Sequence, residues 1–181
     1  GIEKKIEALV KKIYGGDGVS VLPAAKKQIA ALESGVVGKL IKAFYINGHT
    51  GPLGKGAKHR GVTEKAQEMT DDERASTWWY KNETGGGAFL DIGCYGCFFN
   101  EWVRGDDDKP LSVMAFKGNY NTPYMNSADN MAGIIEYKDS FGVVEGSWTV
   151  PQASLPTGPV YNCTDGVLYW ERCSFLDKQQ R

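Results

Sequence analysis

The chain has no excess of charge of either sign, no long apolar run, few cysteines and only two histidines. Its 21 Lys and Arg against 22 Asp and Glu leave a formal charge of −1, without the basic surplus that binding to a phosphate backbone demands. Nucleic acid is therefore not an expected partner. No apolar stretch approaches the roughly 20 residues of a bilayer-spanning helix, and no charged-then-apolar leader is recognisable. The expectation is no membrane partner and a cytoplasmic location. Four cysteines, at 94, 97, 163 and 173, are too few for a disulfide scaffold and read as reduced thiols. Cys94 and Cys97 form a C-x-x-C, yet Cys163 and Cys173 are too far apart to supply the second close pair of a structural zinc site, so no metal is expected. His49 and His59 lie in one polar loop without carboxylates at ligand spacing and read as solvated.

Phosphate-binding signatures are missing too. Gly54-Lys55 has His49 where the first glycine of a phosphate loop belongs and Gly56 where its Ser or Thr belongs. No Gly-x-Gly-x-x-Gly opens a helix after a strand, so the chain carries no dinucleotide cradle of its own. A separate nucleotide domain takes on the order of 100 residues or more, and 181 residues leave no room for it beside a substrate domain.

What is present suits one folded domain, since at 41% hydrophobic residues a chain of this size buries a sizeable core without staples. Ile2, Ile6, Leu9, Val10 and Ile13 line one face of an N-terminal helix, with lysines opposite. A second helix starts at Pro23 and stops at Ser34-Gly35, and Val36 to Ile46 reads as a strand. Residues 47 to about 76 form a long polar, glycine-rich and partly basic connection. A helix then runs from Phe89 to Val103, its Leu90, Cys94, Cys97, Phe98 and Trp102 sharing a face at core spacing. From Pro110 the pattern turns to strands, at 111–120, 131–137, 142–150, 160–163 and 167–170, with Asp165-Gly166 as a hairpin signal. Helices followed by an antiparallel meander predict an α+β fold, a largely antiparallel open sheet with helices packed on one face.

The segment Gly85 to Gly96, GGGAFLDIGCYG, is the most informative. Asp91 and Tyr95 are four apart, which on a helix sets a carboxylate and a phenol on one side within a turn. Such a pair can handle the proton of a hydroxyl group, while the glycines ahead allow close approach of backbone to a ligand. The same spacing equally suits a helix-capping Asp and a packed Tyr ring.

Three stretches together resemble the second domain of the Gfo/Idh/MocA oxidoreductases. They are PAAKKQIAALESGVVGKLIKAFYINGHTGP, WWYKNETGGGAFLDIGCYG and SADNMAGIIEYKDSFGVVEGSW, and the likeness covers about residues 23–171, leaving 1–22 as a helix and linker. The resemblance implies the dihydrodipicolinate-reductase-like C-terminal fold and a substrate-binding and oligomerisation domain of an NAD(P)-dependent sugar or polyol dehydrogenase. It also implies catalytic roles for Asp91 and Tyr95, with Tyr95 at a position more often occupied by His. Lys81, Trp79 and Gly87 are the expected substrate contacts. A phenol with an ordinary pKa of about 10 needs a nearby cation to ionise at neutral pH. In the family that cation is a lysine of the nucleotide domain, which Glu3-Lys4-Lys5 echoes only faintly. The expectation is therefore that NAD or NADP belongs to the full architecture and does not bind this chain alone, and that a homo-oligomer forms through the sheet face. A free-standing, non-enzymatic module for dimerisation or small-ligand binding is the alternative.

Overall fold

A computed structural model describes residues 23–53, 68–150, 159–169 and 172–174 of the chain. The N-terminal helix expected over residues 2–13, the Glu3-Lys4-Lys5 segment, His59 and the basic loop 54–65 lie outside the described residues.

Helix α1 (Pro23–Glu33) opens on a proline, whose fixed φ suits the first turn. It closes at Gly35, whose φ of 69° lies in the left-handed region, with the Gly35 amide donating to the Leu32 carbonyl. The first strand starts later than its composition predicts. Gly38, with φ 77°, turns the chain before β1 (Leu40–Gly48), and a Cβ there would fall 1.9 Å from Thr164 Oγ1. Val36 and Val37 are thus spent on the corner, with Val37 buried in the core.

Among the described residues the sheet has seven strands in the order β2-β3-β4-β1-β5-β6-β7. One meander, β2 (Ser112–Gly118), β3 (Asn130–Glu136) and β4 (Phe141–Ser147), flanks β1 on one side. A second, β5 (Pro159–Cys163), β6 (Val167–Tyr169) and β7 (Arg172–Ser174), flanks it on the other. Neighbours pair antiparallel except β1 and β4, which run parallel from Lys42↔Phe141 to Gly48↔Ser147. The α+β class and its mostly antiparallel open sheet hold. The single parallel pair, and the short β7, are not anticipated from composition.

Helices cover one face. α1 packs Ala31 onto Ala43, Tyr161 and Leu168. The second helical segment begins as a π-turn (Phe89–Gly93) and continues as α3 (Cys94–Arg104). Its contact with the sheet runs through glycines: a Cβ on Gly96 would lie 2.5 Å from Val144, and one on Gly146 would lie 3.2 Å from the Gly93 backbone. Helix and strand therefore approach at backbone distance. Of the expected core face, Cys97 and Trp102 do pack on buried clusters, but two positions depart from it. Ile92, Gly96, Phe99 and Asn100 are buried on the inner side, where Gly96 meets Val144 and Phe99 stacks on Tyr45, whereas Leu90 and Phe98 of the expected core face are exposed.

A helix in the stretch expected to be wholly connection, α2 (Asp71–Ser76), starts with a reciprocal cap. Thr70 Oγ1 accepts the Glu73 amide and Glu73 accepts the Thr70 amide. Two single 3-10 turns, Trp78–Tyr80 and Asn82–Thr84, lead from it to the glycine triplet. On its other face the sheet presents Phe44, Ile46, Met114, Phe116, Ile134 and Tyr169, and no element among the described residues covers them.

Candidate active site

The parallel β1–β4 pair builds the site. Two parallel strands end at the same edge of the sheet, so the residues that follow them, His49 and Trp148, emerge side by side. The His49 amide donates to the Ser147 carbonyl (2.9 Å) and the Trp148 amide to the Asp129 carbonyl (2.8 Å), which fixes both. The glycine crossing brings the π-turn down onto this edge and places Asp91 between them. Asp91 Oδ2 meets His49 Nε2 at 3.2 Å and accepts the Trp148 indole N–H at 3.0 Å. No described residue bonds Oδ1.

His49 corrects the expectation of a solvated histidine. Its side chain is only 23% exposed and that of Asp91 22%, because strand pairing draws the start of the polar loop into the fold. His49 Nδ1 accepts the Gly51 amide at 3.0 Å. That bond assigns the ring proton to Nε2, facing the carboxylate. Beneath lies an aromatic cluster: Tyr80 meets Trp148 edge-on at 5.5 Å between ring centres, and Ile92, Ala88, Met125 and Leu53 complete it. The buried Tyr80 phenol accepts the Leu53 amide, and burial raises it far above the ordinary tyrosine range.

Of the residues singled out in the sequence, Asp91 stands at the centre. Tyr95, one turn on, is 51% exposed, and the described partners of Asp91 Oδ2 are His49 and Trp148. Burial, with a smaller contribution from Tyr95, raises the phenol of Tyr45 beneath α3. Trp79 is half-buried, stacked on the exposed Trp78 at 3.8 Å and packed on the Tyr80 cluster. Lys81 is half-buried, and its carbonyl accepts the Gly86 amide. The triplet folds these turns back: a Cβ on Gly86 would lie 2.3 Å from the Trp79 carbonyl oxygen, and Gly87, at φ 115°, passes against Ala128. The Gly87 carbonyl also accepts the Asp91 amide (3.2 Å).

Sequence reasoning missed His49 and gave Trp148 no role. Trp148 stood in the quoted EGSW stretch. For His49 the only signal is its place just after a strand, and that carries meaning only once β1 is known to run parallel to β4. Among the described residues no three His, Cys, Asp or Glu side chains converge as metal ligands, and no helix is long and apolar enough to cross a membrane.

The family model for the GFO/IDH/MocA C-terminal domain matches residues 30–168. The chain belongs to the GFO/IDH/MocA family. Among solved structures, the WlbA dehydrogenase of Bordetella pertussis, in complex with NADH and UDP-GlcNAcA, superposes with TM-score 0.58 at 16% identity over 85% of this chain and 44% of its own. GenD2 of gentamicin A biosynthesis, in complex with NAD, gives 0.56 at 19% over 81% of this chain and 36% of its own. An aldose-aldose oxidoreductase of Caulobacter crescentus, complexed with glycerol, gives 0.55 at 15%, over 77% and 35%. These likenesses are of fold, and this GFO/IDH/MocA domain spans less than half of each of those chains. No curated protein matches it in sequence.

Proposed function

We propose that this GFO/IDH/MocA C-terminal domain binds the substrate of an NAD(P)-dependent sugar or polyol dehydrogenase and joins its subunits through the open sheet face. The observation that carries the reading is Asp91, held by Trp148 and His49 through one oxygen, with Oδ1 left to accept a substrate hydroxyl. Tyr95, on the exposed side of the same helix, would take part in the proton transfer, with Lys81, Trp79 and the Gly87 backbone as contacts to the substrate. A bound nicotinamide supplies hydride chemistry. The described residues do not form the glycine-rich strand–helix turn that a dinucleotide pyrophosphate requires, which supports a cofactor held outside them. Large apolar side chains on the uncovered sheet face support subunit pairing.

The test is a titration of the chain with myo-inositol and glycerol, followed through the Trp148 indole N–H by NMR. A saturable shift that Asp91→Ala abolishes is expected. Calorimetry of the same chain with NAD and with NADP should show no binding, and micromolar affinity would place the cofactor site within this chain. The open face also favours a second reading, a non-enzymatic pairing module. It takes precedence if the chain dimerises while no polyol moves the Trp148 signal.

A further inference from the structure

The sheet ends on β2, an edge strand of a kind that native proteins normally blunt. It is seven residues long, and its pairing with β3 runs from Ser112↔Glu136 to Gly118↔Asn130 without a shift in register. It contains no proline and only one charge, Lys117. Val113, Met114 and Phe116 are 65%, 73% and 70% exposed. Because side chains alternate, Val113 points to the helix-covered side and Met114 and Phe116 to the open side. On the open side Tyr120 lies over Gly118 and stacks beside Phe116 at 6.4 Å between ring centres, yet Met114 and Phe116 stay exposed. Such an edge, long, regular and apolar, is a template for another strand.

Hydrogen-bond parity says which groups face outward. The Trp148 amide donates to the Asp129 carbonyl and the Tyr137 amide to the Ser140 carbonyl. Odd-numbered residues of β3 therefore bond to β4, and even-numbered ones to β2. In β2 the even residues 112, 114, 116 and 118 consequently bond to β3, and Val113, Ala115 and Lys117 turn their N–H and C=O groups to the free edge.

We infer that β2 pairs antiparallel with β2 of a second copy of this chain, about a two-fold axis at Ala115. This interface is separate from the open sheet face and does not depend on the site at Asp91. The strand is self-complementary about that residue. Ala115 faces Ala115 and Val113 faces Lys117 as hydrogen-bonded pairs, while Ser112 faces Gly118. Met114 faces Phe116 twice as a non-hydrogen-bonded pair, the geometry in which side chains come closest and a thioether can meet an aromatic ring. All of β2 is used, and the two Lys117 side chains stay about four residues, roughly 13 Å, apart. An unrelated peptide could satisfy the backbone groups, but only a second copy supplies both the matched length and the reciprocal Met–Phe pairs.

The experiment is amide hydrogen exchange on the chain at a few hundred micromolar, read beside its mass in solution. Amides of residues 114 and 116 are protected by β3 in any folded state and report folding. Those of residues 113, 115 and 117 are protected only if the edge is paired, and alternating protection, even residues slow and odd residues fast, overturns the inference. Ala115→Lys and Ala115→Glu place like charges across the axis, at a side chain already exposed in the single chain. Each alone should weaken association by about tenfold or more, and a one-to-one mixture should restore both mass and protection at Val113 and Lys117. Association of Ala115→Lys equal to that of the unsubstituted chain also overturns it. Pairing through the open face alone would leave the odd amides fast and respond instead to Ile134→Lys.

Discussion

Replacing Trp148 by Phe isolates the bond that seats the Asp91 turn on the sheet edge. The indole N–H donates to Asp91 Oδ2 at 3.0 Å from a buried ring. Losing a bond to a carboxylate costs about 1.5–3 kcal/mol. The smaller ring gives up roughly 40 Å² of apolar burial, about 1 kcal/mol at 25 cal/mol per Å². Urea unfolding should therefore show a loss of about 2.5–4 kcal/mol with an unchanged m-value. The decisive comparison is a double-mutant cycle with Asp91→Ala. Removing Asp91 leaves the Trp148 and His49 N–H groups without their acceptor, so a later loss of the indole should cost much less, giving a coupling of about 1.5–3 kcal/mol. Additivity within about 0.5 kcal/mol would refute the claim that this bond holds the turn in place.

Gly142→Ala puts a Cβ 2.0 Å from Asn100 Oδ1, displacing a buried side chain that donates to the Gly96 carbonyl and accepts from Arg104. A loss of about 2–3 kcal/mol in thermal or urea unfolding is expected. Asp129 is buried; burial raises its carboxyl, but the Tyr120 and Asn121 amides and the Asn130 side chain outweigh that and hold it below the ordinary aspartate range. A lowered folded-state value means stabilisation that is complete above the unfolded value of about 4 and is lost as pH falls below it. Urea midpoints from pH 7 to 3 should fall less steeply for Asp129→Asn than for the unsubstituted chain, from a lower start. Cys163 is buried with its thiol pushed up to about 11, so iodoacetamide at pH 8 should label it only after denaturation, as mass spectrometry of the digested chain can show.

Elements that announce themselves locally were legible in the sequence. Pro23 and Gly35 bracket α1, Asp165-Gly166 marks the β5–β6 hairpin, and the β-branched runs give the strands to within a few residues. The Thr70-x-x-Glu73 cap of α2 was equally local, though hidden in a polar stretch. The exact orientation of α3 was not legible, since Leu90 and Phe98 sit at core spacing with the packed Cys97 and Trp102 and yet are exposed. The meeting of Gly96 with Val144, and of Gly93 with Gly146, is what turns Ile92, Phe99 and Asn100 inward. At the site, Asp91 and the glycines before it stand out as a local pattern. His49 does not, because its partnership with Asp91 depends on the direction in which β1 runs beside β4, and strand direction leaves no trace in either strand's own residues.

That parallel pairing also sets the order in which the molecule can assemble. His49 and Asp91 are 42 residues apart and Asp91 and Trp148 are 57 apart, and nothing in between lets β1 close onto β4 cheaply. On a growing chain β1 has to wait for residues 141–147 before it gains that neighbour, while the β3–β4 hairpin forms from contiguous residues. Long-range closure of this kind slows folding. The carboxylate site thus rests entirely on contacts distant in sequence, and it exists only where the strands on either side of β1 are joined into one sheet.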